Sequence, residues 1–275
     1  MRRLPRARQA VVLAGLLLGA PALAYLPPAT AILKRVVQKR DELGVTSLEA
    51  DGTLELSGDG ALALKALLAG PGGPPPTPTA PPAGTGGAPT PQLSVPAALF
   101  VKAPGRCRLE LAPEGAPPAA RPTLSLRGAR MAGQRGLDGV LPARALLEGL
   151  CALLAERGAG GAEPERYLAE RLAGRGVALG EVAFGRLGER VAWVLGARPQ
   201  DPRPQAWIDK LTFQPIRLLA SLGGADRDVR LLDFGSPIGG EIFPRAVEVW
   251  SADKLEARFT LGKVTTNLKL PDALF

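Results

Sequence analysis

Histidine is missing from all 275 residues of this chain, which removes the side chain on which much enzyme chemistry depends. Neither a serine–histidine–aspartate triad nor a cysteine–histidine pair can be built without it. The two cysteines have no histidine beside them and cannot complete a closed four-ligand zinc site. The sequence also has no phosphate-binding Gly-x-x-x-x-Gly-Lys-Ser/Thr loop and no aspartate-rich calcium loop. We therefore predict no catalytic residues, no metal site and no cofactor.

The two cysteines, Cys107 and Cys151, can instead serve the structure. Cys107 alternates with Leu109 and Leu111 on the apolar side of a predicted strand, and Cys151 lies on the apolar side of a predicted helix. In an oxidising compartment such a pair can form a disulfide. Two buried thiols would satisfy the same pattern, so both states stay open.

The N-terminus has the three parts of a secretion signal. Four arginines within residues 2–8 form a basic start, an apolar stretch covers residues 11–18, and Ala22-Leu23-Ala24 supplies the small residues that signal peptidase requires. A membrane anchor needs about 20 apolar residues, and this stretch is shorter. We expect cleavage after Ala24 and a periplasmic mature protein, with an uncleaved anchor as the alternative.

Charge argues against a nucleic-acid partner. The leader contains four of the 34 basic residues and none of the 26 acidic ones, so it accounts for about half of the net charge of +8. In the rest of the chain arginines alternate with acids, as in Arg106, Arg108 and Glu110. Such a surface is mixed in sign and lacks the basic stripe that follows a phosphate backbone. We expect a monomer that does not bind nucleic acid.

Hydrophobic periodicity predicts a single α+β domain. Apolar residues at helical spacing predict helices over 30–43, over 142–157 and from Pro164 onward. The turns between the later strands are short, so neighbouring strands should be antiparallel. We expect one curved antiparallel sheet with helices on its concave face. Alternating or continuous apolar patterns place strands at 48–56, 98–101, 106–111, 177–184, 190–195, 207–213, 229–234, 244–250 and 255–261.

Residues 70–92 differ in composition from the rest of the chain. Fifteen of these 23 residues are proline or glycine, and none is charged. Such a segment cannot bury enough apolar surface to offset the entropy lost on ordering. We predict a disordered loop with polyproline II character inside one domain, which covers residues 25–275 and follows a signal peptide at 1–24.

Three stretches of the chain carry a family resemblance. They are Leu-Phe-Val-Lys-Ala-Pro-Gly-Arg-Cys-Arg-Leu at 99–109, Trp-Ile-Asp-Lys-Leu-Thr-Phe at 207–213, and a closing hairpin from Phe243-Pro244-Arg245 to Phe259. Together with the signal and the first amphipathic helix, they resemble the bacterial outer-membrane lipoprotein carriers, the LolA/LolB-like group. The resemblance implies an incomplete antiparallel β-barrel, covered by helices, whose apolar cavity holds the acyl chains of a lipoprotein in transit. No cysteine lies at the cleavage point to carry a lipid anchor, so the soluble member of the group is implied.

In such a fold the apolar residues of the strands would form the cavity wall. The candidates are Leu54, Leu56, Leu109, Trp193 and Trp250. The same tryptophans could equally fill a packed core, so the pattern fits both a cavity and a filled interior.

One position departs from the family pattern. Carriers of this group have an arginine directly before the proline at the strand entry, where it helps to hold the lid closed. The matching position here is Ala103. Arg106 and Arg108 lie nearby and could hold the lid, or they could lie exposed on the outer side of the strand.

Three classes of function therefore stay open. They are a carrier with an apolar cavity, a structural or interaction module of the cell envelope with a filled interior, and a hydrolase that uses carboxylates. An empty apolar groove would favour the first class, a packed core the second, and close-set buried acids the third. We predict the first: a soluble periplasmic carrier and not an enzyme, with acyl chains of lipids or lipoproteins and envelope membrane proteins as its partners.

Overall fold

The computed structural model of the protein describes residues 26–69, 90–155 and 163–275. The predicted signal peptide, residues 1–24, lies outside these residues, as does most of the predicted proline-rich loop. Of that loop, the structure describes only residues 90–92, and Gln92 already begins a strand. No helix in the described part of the chain combines the length and the hydropathy needed to span a membrane.

Helices form where the apolar spacing predicts them. The helices at 30–43, after Pro142 and after Pro164 are confirmed, with ends shifted by one to three residues, and the apolar run at 61–68 forms a further helix. Proline suits the first turn of a helix because the amide it lacks has no partner there. The four helices are α1 (Ala29–Glu42), α2 (Asp59–Ala69), α3 (Leu141–Leu154) and α4 (Pro164–Ala173).

The described residues also form twelve strands, of which seven follow the last of these helices. They are β1 (Ser47–Ser57), β2 (Gln92–Lys102), β3 (Arg106–Leu111), β4 (Thr123–Arg127), β5 (Arg130–Gln134), β6 (Val182–Leu187), β7 (Arg190–Leu195), β8 (Gln205–Asp209), β9 (Pro215–Leu222), β10 (Ala225–Leu232), β11 (Ala246–Ser251) and β12 (Lys254–Thr266).

Three strands, β4, β5 and β9, have no counterpart among the predicted strands. The apolar run Leu218-Leu219-Ala220 in β9 breaks strict alternation, and the five residues of β5 are short and mostly exposed. The predicted strand at 207–213 is wrong at its end. The Asp209 carboxylate accepts hydrogen bonds from the amides of Leu211 and Thr212, which turns the chain after β8.

All twelve strands belong to one sheet, in the order β5-β4-β3-β2-β1-β12-β11-β10-β9-β8-β7-β6. Every pairing is antiparallel, as the short turns predict. Strands β5 and β6 end the sheet without pairing with each other, so it is open. Helix α3 contacts β3 and β4 as well as β9 to β12, although these strands are far apart in the sheet order. A single helix can reach them all only because the sheet curves around it, which confirms the predicted fold class.

Candidate ligand-binding interior

The face of the sheet that contacts α3, called the inner face below, is a continuous apolar wall. Side chains alternate between the two faces of a strand, so the register of the sheet assigns each residue to a face. Val229 lies directly under α3, and its cross-strand neighbours on either side are apolar. One row across the inner face consists of Leu93, Leu56, Ala257, Val249, Val229, Leu218, Ala206 and Leu195.

Helix α3 fills the hollow in front of this wall. Ten of its 14 residues are buried, so it is apolar on nearly all sides rather than along one stripe. Leu146, Leu147 and Leu150 have no exposed surface. Gly149 lets the helix approach the sheet closely, since a Cβ atom there would lie 2.7 Å from Cγ2 of Val229. The space that a ligand would need under α3 is occupied by the helix itself.

A disulfide holds α3 against the inner face. It joins Cys107 of β3 to Cys151 of α3, with the two Cα atoms 5.9 Å apart and the residues separated by 44 positions. This Cα separation lies within the usual range for disulfides. A second tie lies at the end of the helix, where the Gly105 amide donates to the Ala155 carbonyl at 2.8 Å.

Helix α1 covers the interior with one face only. Five of its 14 residues are buried, and Ile32, Leu33, Val36 and Val37 join the common apolar core. The opposite side of α1 is polar and exposed. The helix also packs against α4. An ion pair between Lys39 Nζ and Glu241 Oε2, at 2.8 Å, ties the helix to the loop before β11. The hydrogen bond to Glu241 raises the pKa of Lys39 above its ordinary value.

A small recess lies between the end of α1, the start of β1 and the end of α3. Its volume is about 50 Å³, and its lining includes Leu43, Val45, Leu48 and Leu154. Sites for small molecules usually measure about 300–1,000 Å³. The recess therefore marks where the interior meets solvent but is too small for an acyl chain.

Four of the five predicted cavity residues lie on the inner face. Leu54, Leu56 and Leu109 are at most 1% exposed, because they are packed in the core rather than against an open space. Trp193 also lies on this face, at the β6–β7 end of the sheet, where its ring stacks on Phe184 with centroids 4.5 Å apart.

Trp250 lies on the opposite, outer face, so its assignment to the cavity wall is wrong. Alternation along β11 directs Val249 inward and Trp250 outward. The indole Nε1 of Trp250 donates to the Glu248 carboxylate at 2.8 Å, and the Arg230 guanidinium lies 4.6 Å from the ring centre. These partners keep the ring outside the core.

Arg106 and Arg108 also point to the outer face, and they hold the C-terminal segment rather than a helix. Arg106 Nη1 lies 2.6 Å from the Asp272 carboxylate, and Arg108 Nη1 donates to the Leu274 carbonyl at 2.9 Å. Lys102 binds the same carboxylate at 2.7 Å, and this bond lowers the pKa of Asp272. The predicted lid-holding role is therefore wrong, because odd-numbered residues of β3 face the helices and even-numbered ones do not.

Buried acids in the described part of the chain face arginines rather than each other. Asp228 forms ion pairs with Arg217 and Arg230, both at 2.7 Å, and Glu248 lies 3.3 Å from Arg258. These groups lie on the outer face, and the described residues contain no cluster of acids and cysteines that could hold a metal ion. The arrangement neutralises the carboxylates and does not pair them for acid–base chemistry.

No protein-family model and no curated protein matches the sequence. Among solved structures, a LolA superfamily protein from Nitrosomonas europaea is 12% identical, and the alignment covers 91% of this chain and 98% of that chain with a TM-score of 0.42. A DUF1329 family protein from Desulfovibrio piger is 10% identical over 91% and 98% of the two chains, with a TM-score of 0.41. A domain described as an outer membrane lipoprotein-sorting protein from Vibrio parahaemolyticus is 9% identical over 87% and 94%, with a TM-score of 0.34.

At identities of 9–12%, these likenesses concern the overall fold alone. Over most of its length, this chain is similar in fold to these solved structures.

Proposed function

We propose that the mature protein is a non-enzymatic binding protein for the long acyl chains of lipids or lipoproteins, and that a covering helix moves to admit them. The observation that carries the proposal is the continuous apolar wall of the inner face, covered by helices and open to solvent at the end of α1. An acyl chain gains about 0.8 kcal/mol for each CH₂ group that it buries, so even a short buried length gives useful affinity.

Binding requires a helix to move, and the contacts single out α1. Helix α3 is buried on nearly all sides and bonded to β3 through Cys151. Helix α1 is buried along one stripe and is tied to the 241 loop by an ion pair whose partners are 28% and 50% exposed. Movement of α1 would uncover the apolar core at the recess beside Leu48 and Leu154, while α3 stayed in place. Movable covers of this kind admit and release ligands in many binding proteins and enzymes.

The proposal is tested by comparing the uptake of a fluorescent fatty-acyl probe before and after α1 is crosslinked to the 241 loop. In the variant Lys39→Cys/Glu241→Cys the native cysteines are bonded to each other, so a short bismaleimide would join α1 to the 241 loop. We expect saturable uptake by the variant before crosslinking and loss of uptake after it. The two single variants, treated with the same reagent, are the matched controls.

The two parts of the proposal fail in different ways. Equal uptake before and after crosslinking would contradict the role of α1 but leave acyl binding standing. If well-folded protein takes up no probe at all, and native mass spectrometry finds no co-purified lipid or acylated peptide, acyl binding itself is refuted.

The filled interior favours a second candidate, a structural or interaction module of the envelope that never opens. Its specific support is the absence of exposed surface at Leu54, Leu109 and Leu147. A module of this kind would show slow amide exchange throughout α1 as well as α3, and no response to the probe.

Both candidates require export, and we propose that signal peptidase cleaves after Ala24 and leaves a periplasmic protein that begins at Tyr25. The basic start and the Ala-x-Ala sequence of the leader support this. Intact mass of protein from the periplasmic fraction decides it. A mass that retains residues 2–24 would contradict a soluble carrier.

A further inference from the structure

The two ends of the open sheet differ in what packs on their outermost strands. At one end, the segment after β5 turns back over one face of the strand, where a Cβ atom on Gly133 would lie 2.6 Å from Cβ of Asp138. At the other end, β6 pairs only with β7. Among the described residues, no further backbone hydrogen bond involves residues 182–187. Strand β6 is therefore an unpaired edge, a feature that native proteins usually block.

The register shows which backbone groups of β6 point away from the sheet. The Gly196 amide donates to the Glu181 carbonyl at 3.0 Å, so these two residues form a hydrogen-bonded pair. In an antiparallel ladder such pairs recur at every second residue. Residues 183, 185 and 187 therefore bond to β7, and the amides and carbonyls of Val182, Phe184 and Arg186 point outward.

Beside this edge lies an aromatic and basic surface, called the β6 shelf, made of Phe184, Arg186, Val191, Trp193 and Lys210. Phe184 is 38% exposed and Val191 36% exposed, which is high for apolar residues of their size. Lys210 Nζ lies 4.9 Å from the ring centre of Phe184 and 5.7 Å from that of Trp193.

The charges and polar atoms of the shelf lack partners within the described structure. Neither Lys210 nor Arg186 forms an ion pair with a described residue, although most other arginines of the sheet do. The buried indole Nε1 of Trp193 has no hydrogen-bond acceptor there either. The surface thus offers two cations and two apolar side chains next to unpaired backbone.

We propose that β6 binds an extended, acidic segment of a partner protein, which adds to the sheet as a thirteenth strand. Unpaired backbone at an edge recognises an extended chain, and side chains of alternate residues supply the specificity. The shelf then contacts every second residue of the segment, with Arg186 and Lys210 facing carboxylates. A second copy of this chain fits less well, because antiparallel pairing of two β6 strands would bring their cations together. This inference does not depend on acyl binding.

The probes are two fluorescein-labelled eight-residue peptides, one of alternating valine and glutamate and one of alternating valine and lysine. We expect fluorescence anisotropy to show that the acidic peptide binds at least about tenfold more tightly than the basic one, which corresponds to about 1.4 kcal/mol. Saturation with the acidic peptide should slow amide exchange at Val182, Phe184 and Arg186 but not in β5.

Matched variants separate charge from backbone pairing. Arg186→Gln removes the charge and keeps the outward amide, so it should weaken binding severalfold, whereas Arg186→Pro also removes the amide and should abolish binding. Proline is tolerated on an edge strand because the lost amide faces away from the sheet. Lys210→Glu should reduce affinity about tenfold, and Lys65→Glu, on the exposed side of α2, should leave it unchanged.

Four results would overturn the proposal. They are no binding of either peptide by folded protein, equal binding of both peptides, binding that survives Arg186→Pro, and failure of both peptides while vesicles containing phosphatidylglycerol bind through Lys210. The last result would assign the shelf to a membrane surface. A fifth result, sedimentation that shows a dimer lost on Arg186→Pro, would also overturn the proposal and would assign the edge to a second copy of the chain.

Discussion

Helices α1 and α3 lie over the same face of the same sheet, yet the structure holds them in different ways. Helix α3 is buried on ten of its 14 residues, is bonded to β3 and ends against the β2–β3 turn. Helix α1 is buried on five of 14 residues and has one solvent-exposed ion pair to the loop before β11. The first is part of the core, and the second covers it.

This contrast indicates that α1, and not α3, is the helix that can move away from the sheet. Removing α3 would expose a helix that is apolar on all sides, together with the wall behind it, at a large cost in hydrophobic free energy. Removing α1 would expose one apolar stripe and leave α3 in place. Local opening is expected where few buried contacts and exposed polar ties hold an element.

Loss of the disulfide should have the largest effect on stability. The variant Cys107→Ala/Cys151→Ala should have a free energy of unfolding about 3–4 kcal/mol lower, because the bond closes a loop of 44 positions in the unfolded chain. Denaturant unfolding measures this difference. Thiol labelling of unreduced, denatured wild-type protein should find no reactive cysteine, and two labelled cysteines would show that α3 is not bonded to the sheet.

Filling the contact between α3 and the sheet should have the next largest effect. Gly149→Ala places a methyl group against Val229 and should lower the free energy of unfolding by about 1–3 kcal/mol through overpacking. The matched control is Gly139→Ala, where nothing lies within 4 Å of the new atom. Equal stability of the two variants would mean that α3 can shift as readily as α1.

Breaking the tie on α1 should change its dynamics more than global stability. In Glu241→Gln the amides of residues 32–42 should exchange faster, while those of 145–153 keep their protection. Since the hydrogen bond to Glu241 raises the pKa of Lys39 in the folded state, its contribution is present at neutral pH and is lost as pH rises above the ordinary lysine value through the folded pKa. Faster exchange in both helices would show that they open together.

The smallest effect is expected at the C-terminal segment on the outer face. Since the pKa of Asp272 is lowered in the folded state, its contribution is present above its ordinary value and is lost as pH falls through the folded pKa. Below about pH 4, amides of residues 270–275 should exchange faster, with no change in α1 or α3. Asp272→Asn should remove this pH dependence, and persistence of the dependence would assign it to another acid.

Several elements could be predicted from local pattern because their signals are local. The three-and-four spacing in α1, the prolines that open α3 and α4, and the alternation in β1 and β3 each identify an element without knowledge of the fold. Strand β9 was missed because it is apolar without alternation, and β5 because it is short and polar. Both are strands only by virtue of the neighbours that pair with them.

The site shows the same division between local and tertiary information. The alternation of side chains along a strand places Leu54, Leu56 and Leu109 on one face of the sheet. The same alternation along β11 places Trp250 on the other face from Val249. No local signal shows that Arg106 and Arg108 hold the C-terminal segment, because their partners, Asp272 and Leu274, lie more than 160 residues away.

The amino-acid sequence by itself determined that the chain lacks histidine chemistry, carries a leader pattern and folds as an antiparallel sheet with amphipathic and buried helices. These properties follow from composition and from periods of two and 3.6 residues, which are local. Only the tertiary structure decided that α3 fills the hollow, that α1 covers it and that β6 keeps an unpaired edge. Those outcomes depend on which elements pack against the same apolar wall. Packing between residues distant in sequence does not change the hydrophobic period of any one element, so the period cannot predict it.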